Sequence, residues 1–273
     1  MEEKFKARIV HLTPVLASLL FGSFCAFLLW TSQVEFYQIT PFSEGVGSLG
    51  NALYFVVLVG VGASILYLLL KKRNMKVISL VTGFALTTAF FMLSVVYLSA
   101  GFGRFSVPNM GVLVLGLSLL ITVLGDLAIF KGKSIVCNMV VLLLGGALGT
   151  FLGVSIPTLS AMLILSFLAV YDAFAVYHGP VGKIAHTGLE QLKGLSFSFR
   201  DVQMGLGDLT FYSMLSGHLL FNFGVFPCAA SVLGILLGCF LAFKMLEKKG
   251  MFPGLPFPIF LGLAAGFLTT LIF

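Results

Sequence analysis

Charged residues are scarce in this sequence. Asp, Glu, Lys and Arg make up 10% of its 273 residues, whereas hydrophobic residues make up 59%. A typical soluble domain is about 25% charged, because its surface must stay hydrated. The composition therefore excludes an ordinary soluble domain and indicates that most of the chain lies in lipid.

Cysteine pairs and metal-binding motifs are also missing. The four cysteines stand inside apolar runs without CxxC spacing, which argues against a disulfide framework and against a zinc ribbon. The sequence contains no HExxH motif. We therefore predict no metal site and no cofactor. The net charge of +6 comes from small basic clusters between apolar runs rather than from one basic face, so we predict no nucleic-acid partner.

Long apolar runs are what the sequence has instead. Each is about 20 residues long, the length of a helix that crosses the bilayer. Backbone hydrogen bonds must be satisfied internally in lipid, and runs without strict alternation favour helices over a barrel. We predict an all-α polytopic protein with nine transmembrane helices, in a single membrane domain 1–273 whose spans six and seven are joined by a cytoplasmic connection 178–201. The predicted spans are 11–31, 51–70, 76–98, 109–130, 135–154, 156–177, 202–222, 225–243 and 253–273.

The basic residues predict the orientation. Every Lys and Arg except Arg104 lies before span one or in an alternate connection. Cytoplasmic loops carry the excess of basic residues in membrane proteins. We therefore predict an integral multi-pass protein with a cytoplasmic N-terminus and an external C-terminus.

Two carboxylates fall inside consecutive predicted spans at similar depth. An ionisable side chain in the bilayer is costly, so each is a functional hypothesis. Asp172 precedes the cytoplasmic end of span six by about 9 Å, and Asp208 follows the start of span seven by about 10 Å, at 1.5 Å per residue. Because the two helices would run antiparallel, the carboxylates can face each other.

A third carboxylate, Asp126, lies in span four about one turn before Lys131. The simpler interpretation is a helix-end carboxylate near Lys131 or water. The alternative is a third member of the same site.

A pair of carboxyl groups in one low-dielectric site cannot both ionise, so one keeps its proton. The ionised group can take a proton from a water molecule that attacks a peptide carbonyl, while the protonated group donates a hydrogen bond to the carbonyl oxygen. The two groups titrate as a unit, so we do not assign the acid role to one residue and the base role to the other. A proton-coupled transporter or channel could use the same pair, and spacing alone leaves both functions open.

Three short motifs accompany these aspartates. Span six carries Tyr171-Asp172, span seven carries Gly205-Leu206-Gly207-Asp208, and span nine opens with Pro253-Gly254-Leu255-Pro256. In order and in span number they resemble the YD, GxGD and PAL motifs of the presenilin and signal peptide peptidase family of intramembrane aspartyl proteases. Gly254 stands where that family usually has Ala. The resemblance is specific over about 168–177, 203–216 and 253–263 and otherwise rests on hydropathy.

The resemblance implies hydrolysis of peptide bonds within membrane-spanning protein substrates, with Asp172 and Asp208 as the acid and base. It also implies supporting roles for the other motif residues around the pair. No cofactor is implied, and nothing in the sequence encodes an obligate partner subunit. The proton-coupled transporter is kept as the alternative.

Several of the supporting residues have two interpretations. Pro253 and Pro256 either leave backbone carbonyls exposed beside the aspartates or simply start a helix with proline in its first turn. Gly205 and Gly207 either let a backbone approach Asp208 or permit tight helix packing. Tyr171 points to another face of its helix than Asp172, where its hydroxyl either bonds a partner or the side chain simply packs.

Small residues spaced four apart indicate close helix packing, and they leave a homo-oligomer interface open as a second interpretation. These residues are Gly145, Gly149, Gly153, Gly234, Gly238, Gly262 and Gly266.

Overall fold

The computed structural model describes residues 6–32, 38–72, 75–105, 109–178, 194–200 and 202–272. These residues form a short 3-10 helix (Ile9–Leu12), nine α-helices and one two-stranded hairpin. The helices and strands are α1 (Thr13–Trp30), α2 (Gly47–Lys71), α3 (Met75–Phe102), α4 (Met110–Phe130), α5 (Ser134–Ser155), α6 (Thr158–His178), β1 (Ser196–Phe199), β2 (Val202–Gly205), α7 (Leu206–Phe223), α8 (Val225–Lys249) and α9 (Pro256–Thr270).

Seven of the described helices, α1 to α6 and α8, are long and apolar enough to cross a membrane. Helix α9 is apolar but has only 15 residues. Helix α7 has 18 residues and is less apolar because it carries Asp208, His218 and Asn222. The helices make this a multi-pass membrane protein, whereas the count of nine spans and the sidedness of the ends stay predictions.

Helix α7 tolerates its polar residues because it lies in the interior. It packs against α1, α5 and α8, and 12 of its 18 residues are buried, Ser213, Ser216 and His218 among them. In contrast, no residue in the most apolar window of α2 is buried. The outer helices therefore meet the lipid with apolar side chains, and α7 is shielded from it.

Glycines bring α5 and α7 into backbone contact. A Cβ at Gly149 would lie 2.8 Å from the Met214 nitrogen and would overlap the Thr210 carbonyl oxygen, and a Cβ at Gly153 would overlap the Met214 carbonyl oxygen. Lipid tails are as apolar as leucine, so association of helices in a bilayer depends on such close packing. The predicted packing role of this glycine series is confirmed.

The other small-residue series is also used inside the chain. Gly234 and Gly238 on α8 approach the backbone of α9 at Leu261 and Pro258. On α9, Gly262 faces Ile235, and Gly266 faces a leucine of α7. The interpretation of these faces as a homo-oligomer interface is therefore wrong, since they are already covered.

The all-α prediction missed the hairpin, and the predicted start of span seven at residue 202 is wrong. Strands β1 and β2 pair antiparallel with Phe197 opposite Met204 and Ser198 opposite Gln203. Buried residues alternate with exposed ones in both strands, which is the period of a strand and not of a helix. The chain reverses next to Arg200, whose φ is 53°. Averaging hydropathy over a helical window concealed this short alternation.

The connection predicted over 178–201 falls mostly outside the described residues. Residues 194–200 are described, and Gly194 has a positive φ of 84°. The main chain then enters β1, and the Leu195 carbonyl accepts a hydrogen bond from the Leu206 N–H at 2.8 Å. This bond closes the base of the hairpin against the first residue of α7.

Candidate active site

Asp172 lies near the end of α6, six residues before its last residue His178. Its Oδ2 accepts a hydrogen bond from the Leu255 N–H at 3.0 Å, and the Gly254 N–H is directed at the same carboxyl group. The hydrogen bond from Leu255 therefore fixes the orientation of this side chain.

Asp208 lies in the first turn of α7. Gly205 is the N-cap residue with extended backbone, φ −74° and ψ 150°, and its N–H is directed at the Asp208 carboxyl group. An N3 carboxylate that reaches back to the N-cap N–H is half of a capping box. The predicted position of Asp208, seven residues into a helix, is wrong, because β2 occupies the four residues that would have formed the first turn.

The two aspartates converge on one short segment. Helices α6 and α7 contact each other, and each carboxyl group lies within range of the other's charge. A Cβ at Gly254 would lie 3.0 Å from Asp208 Oδ2 and 3.2 Å from its Cγ. The next residue, Leu255, bonds Asp172. The connection between α8 and α9 thus touches both carboxyl groups through consecutive residues.

The segment that makes these contacts is held in place by its flanking residues. Phe252 stacks on Phe257 with 5.4 Å between ring centroids, and Pro253 is buried. Helix α9 begins at Pro256, with proline in its first turn, and residues 251–253 have no regular structure. The helix-start interpretation is therefore confirmed for Pro256, whereas exposure of backbone carbonyls by Pro253 stays a prediction.

Tyr212 is a site residue that the sequence analysis missed. Its hydroxyl donates a hydrogen bond to the Gly254 carbonyl oxygen at 2.8 Å, and its side chain is 1% exposed. Tyr212 follows Asp208 by four residues, which places both on one face of α7. That spacing was the available signal.

A cavity of about 80 Å³ adjoins Asp208. Its volume exceeds that of a water molecule, about 30 Å³ in the liquid. It is lined by Val202, Gln203, Met204, Asp208, Tyr212, Cys239, Ala242, Phe243, Leu246, Phe252 and Gly254. The cavity therefore borders strand β2, the Gly254 segment and one of the two carboxyl groups.

The remaining motif residues have different surroundings. The Tyr171 hydroxyl points toward α2, where it would be 3.3 Å from a Cβ at Gly60. Leu206 is buried, and its side chain would be 3.4 Å from a Cβ at Gly145 on α5. A Cβ at Gly205 or at Gly207 would meet no described neighbour closer than 3.9 Å. Tight helix packing is therefore the wrong interpretation of these two glycines.

Asp126 bonds a different neighbour. Its Oδ2 accepts a hydrogen bond from the Thr87 hydroxyl of α3 at 2.7 Å, and it does not line the cavity beside Asp208. Its other oxygen is buried and has no hydrogen-bond partner among the described residues. Asp126 is thus part of the α3–α4 contact. In the same described ranges, no cluster of three His, Cys, Asp or Glu side chains could hold a metal ion.

In the described part of the chain, helices of a multi-pass membrane protein bring two aspartates to one backbone segment, and this fold is found in solved structures. Two solved structures of a presenilin family intramembrane aspartate protease, in C222 and P2 crystal forms, share it with TM-scores of 0.66 and 0.69. The alignments cover 96% and 98% of this chain and 99% of each of those chains, at 20% and 21% identity. The chain has the presenilin fold, so the resemblance noted in its motifs is confirmed as a likeness of fold. No protein-family model and no curated protein matches the chain.

Proposed function

We propose that this protein is an intramembrane aspartyl protease that hydrolyses peptide bonds within membrane-spanning segments of other proteins. The observation that carries the proposal is the convergence of Asp172 and Asp208 on the Gly254–Leu255 peptide, beside a cavity large enough for water. The fold shared with presenilin family intramembrane aspartate proteases supports the same function.

The chemistry requires only a water molecule and the two carboxyl groups. One carboxylate removes a proton from water as its oxygen attacks the peptide carbonyl carbon, and the protonated carboxyl donates a hydrogen bond to the carbonyl oxygen. The resulting tetrahedral intermediate loses the amine when a carboxyl proton moves to its nitrogen. Because neighbouring carboxyl groups titrate as a pair, we assign the base and acid roles to Asp172 and Asp208 jointly.

A helical substrate hides its peptide bonds, so it must be extended before cleavage, and strand β2 offers an edge for it. Both the N–H and the C=O of Ser198 on β1 bond the side chain of Asn138 on α5. Those groups therefore point away from β2, and the pair formed by Ser198 and Gln203 is a non-hydrogen-bonded pair. The main-chain groups of Gln203 then point to the opposite edge, and Gln203 lines the cavity beside Asp208. We propose that an unwound substrate pairs with this edge as an added strand.

The partners that this function requires are membrane-embedded protein substrates and the lipid bilayer. We propose that the chain acts without an obligate partner subunit. The small-residue faces of α5, α8 and α9 are occupied by neighbouring helices of the same chain. They therefore contribute nothing to an argument for an oligomer.

The transporter alternative gains no support from the polar residues of α7. His218 contacts the Gly153 carbonyl oxygen at 2.7 Å and the Thr158 hydroxyl at 3.2 Å. Asn222 donates to the His218 carbonyl oxygen at 3.0 Å. These side chains bond each other and residues at the ends of α5 and α6. Such hydrogen bonds join helices and do not indicate a translocation path.

The test is cleavage of a reporter protein with one membrane span by the purified protein in detergent. Asp172→Asn and Asp208→Asn keep the size of each side chain and remove its acid–base function, so each variant should lose at least about 100-fold in rate. Asp126→Asn is the matched control, a carboxylate in a neighbouring helix pair, and should cleave at the wild-type rate. Cleavage that survives in either of the first two variants would refute the proposal.

A further inference from the structure

One peptide unit is held at both ends by the two helices that carry the aspartates. The carbonyl of Gly254 accepts a hydrogen bond from Tyr212 on α7, and the N–H of Leu255 donates to Asp172 on α6. These two groups belong to the same peptide bond. The bond is trans, so its C=O and N–H point in opposite directions from a rigid plane.

We propose that Tyr212 is a positioning residue that sets the orientation of this peptide and thereby of the Asp172 carboxyl group. The proposal rests on the protease function proposed above. The Tyr212 hydroxyl donates to the Gly254 oxygen at 2.8 Å, and among the described residues it makes no hydrogen bond to Asp172. Its effect passes through the peptide plane, which cannot rotate without breaking one of the two hydrogen bonds.

Two physical features make this link effective. A hydrogen bond to a peptide carbonyl polarises the unit and strengthens its N–H as a donor, so the Tyr212 hydroxyl reinforces the bond to Asp172. The Tyr212 ring is also fixed, since the side chain is 1% exposed and lines the cavity beside Asp208 and Cys239. A rigid residue on the helix of one aspartate therefore determines the placement of the other.

Flanking side chains hold this segment in place, but regular backbone structure does not set the orientation of the peptide plane itself. Residues 251–253 have no regular structure, and Gly254 has no side chain to anchor it. Leu255 is the N-cap residue of α9, but no side-chain hydrogen bond caps that helix. Loss of the Tyr212 hydroxyl would thus leave the bond from the Leu255 N–H to Asp172 as the remaining hydrogen bond that orients this peptide plane.

The experiment compares Tyr212→Phe with Tyr97→Phe. Tyr97 on α3 makes the same kind of bond, since its hydroxyl donates to the Ala147 carbonyl oxygen of α5 at 2.7 Å. Each variant removes one tyrosine hydroxyl from one main-chain carbonyl, so their losses of thermal stability should match. The Tyr97 bond lies between helices that carry neither aspartate, so its loss should leave kcat at the wild-type value.

For Tyr212→Phe we expect kcat to fall about 10- to 100-fold with KM within twofold of wild type, because a misplaced reacting group affects the chemical step rather than binding. A second measurement needs no catalysis. It is amide hydrogen exchange over residues 251–255, which contain four exchangeable amides because Pro253 has none. These amides should exchange faster in Tyr212→Phe than in Tyr97→Phe.

Two results would overturn the positioning role. One is a kcat in Tyr212→Phe no lower than that of Tyr97→Phe. The other is unchanged amide exchange over 251–255. If the wild-type protein cleaves no substrate, the protease function fails, and the exchange measurement still decides whether Tyr212 holds the peptide.

Discussion

The contact between α5 and α7 yields a prediction about stability. Replacing Gly149 by Ala places a methyl carbon 2.8 Å from both the Met214 nitrogen and the Ser213 Cβ, and it overlaps the Thr210 carbonyl oxygen. Ordinary van der Waals contact begins near 3.4 Å. The obstructing atoms are mostly main chain in an intact helix, so no rotamer change can relieve the overlap. The two helices must separate instead.

The expected cost follows from overpacking. Inserting a methyl group into a close-packed interior destabilises a protein by about 1–3 kcal/mol. The matched control is Gly116→Ala on α4, where an added Cβ would meet nothing within 4 Å. There the better helix propensity of alanine should stabilise by about 0.5–1 kcal/mol. Because one change destabilises and the other stabilises, the free energies of unfolding of the two variants should differ by about 1.5–4 kcal/mol.

The assay is thermal unfolding of the purified proteins in one detergent, followed by cleavage activity at a temperature where both are folded. Gly149→Ala should unfold at least about 5 °C below Gly116→Ala. It should also cleave more slowly, because α7 carries Asp208 and would be displaced. A Gly149→Ala protein that unfolds at the same temperature as Gly116→Ala would refute the backbone contact between the two helices.

Three further predictions concern the site and its surroundings. Gly254→Ala puts a methyl carbon 3.0 Å from the nearer carboxyl oxygen of Asp208, so steady-state kinetics should show kcat reduced several-fold at unchanged thermal stability. An unchanged kcat would contradict this close approach. Gln203→Pro removes the outward main-chain N–H of β2, whereas Gln203→Ala keeps it, so KM for a membrane-span substrate should rise about tenfold in the proline variant alone; equal KM values would argue against strand pairing. Thr87→Val removes the 2.7 Å hydrogen bond to Asp126 and should lower the free energy of unfolding by about 1–3 kcal/mol without changing kcat, and a loss of kcat would connect Asp126 to the reaction.

Much of the architecture could be predicted from hydropathy. The helix bounds differ from the predicted spans by a few residues over most of the chain, because runs of about 20 apolar residues have few alternatives in lipid. The exceptions are short. Residues 202–205 form a strand, and α8 continues to Lys249 rather than ending at residue 243.

The candidate site was predicted only in part. Asp172 and Asp208 stood out because carboxylates inside apolar runs are costly and rare. Tyr212 did not stand out, because a tyrosine in a membrane helix most often packs like any aromatic residue. Its hydrogen-bond partner is 42 residues away in the sequence, and no local pattern records that contact.

The sequence by itself determined that this chain is a helical membrane protein and that two aspartates within its apolar runs need a compensating environment. Those conclusions depend only on composition and on the cost of charge in lipid. The tertiary structure decided what that environment is: a peptide unit from the segment before α9, held between Tyr212 and Asp172, with Gly254 against Asp208. Such contacts join residues that are distant in sequence. They depend on how closely the helices approach each other, and that distance is set jointly by the residues on both facing helices.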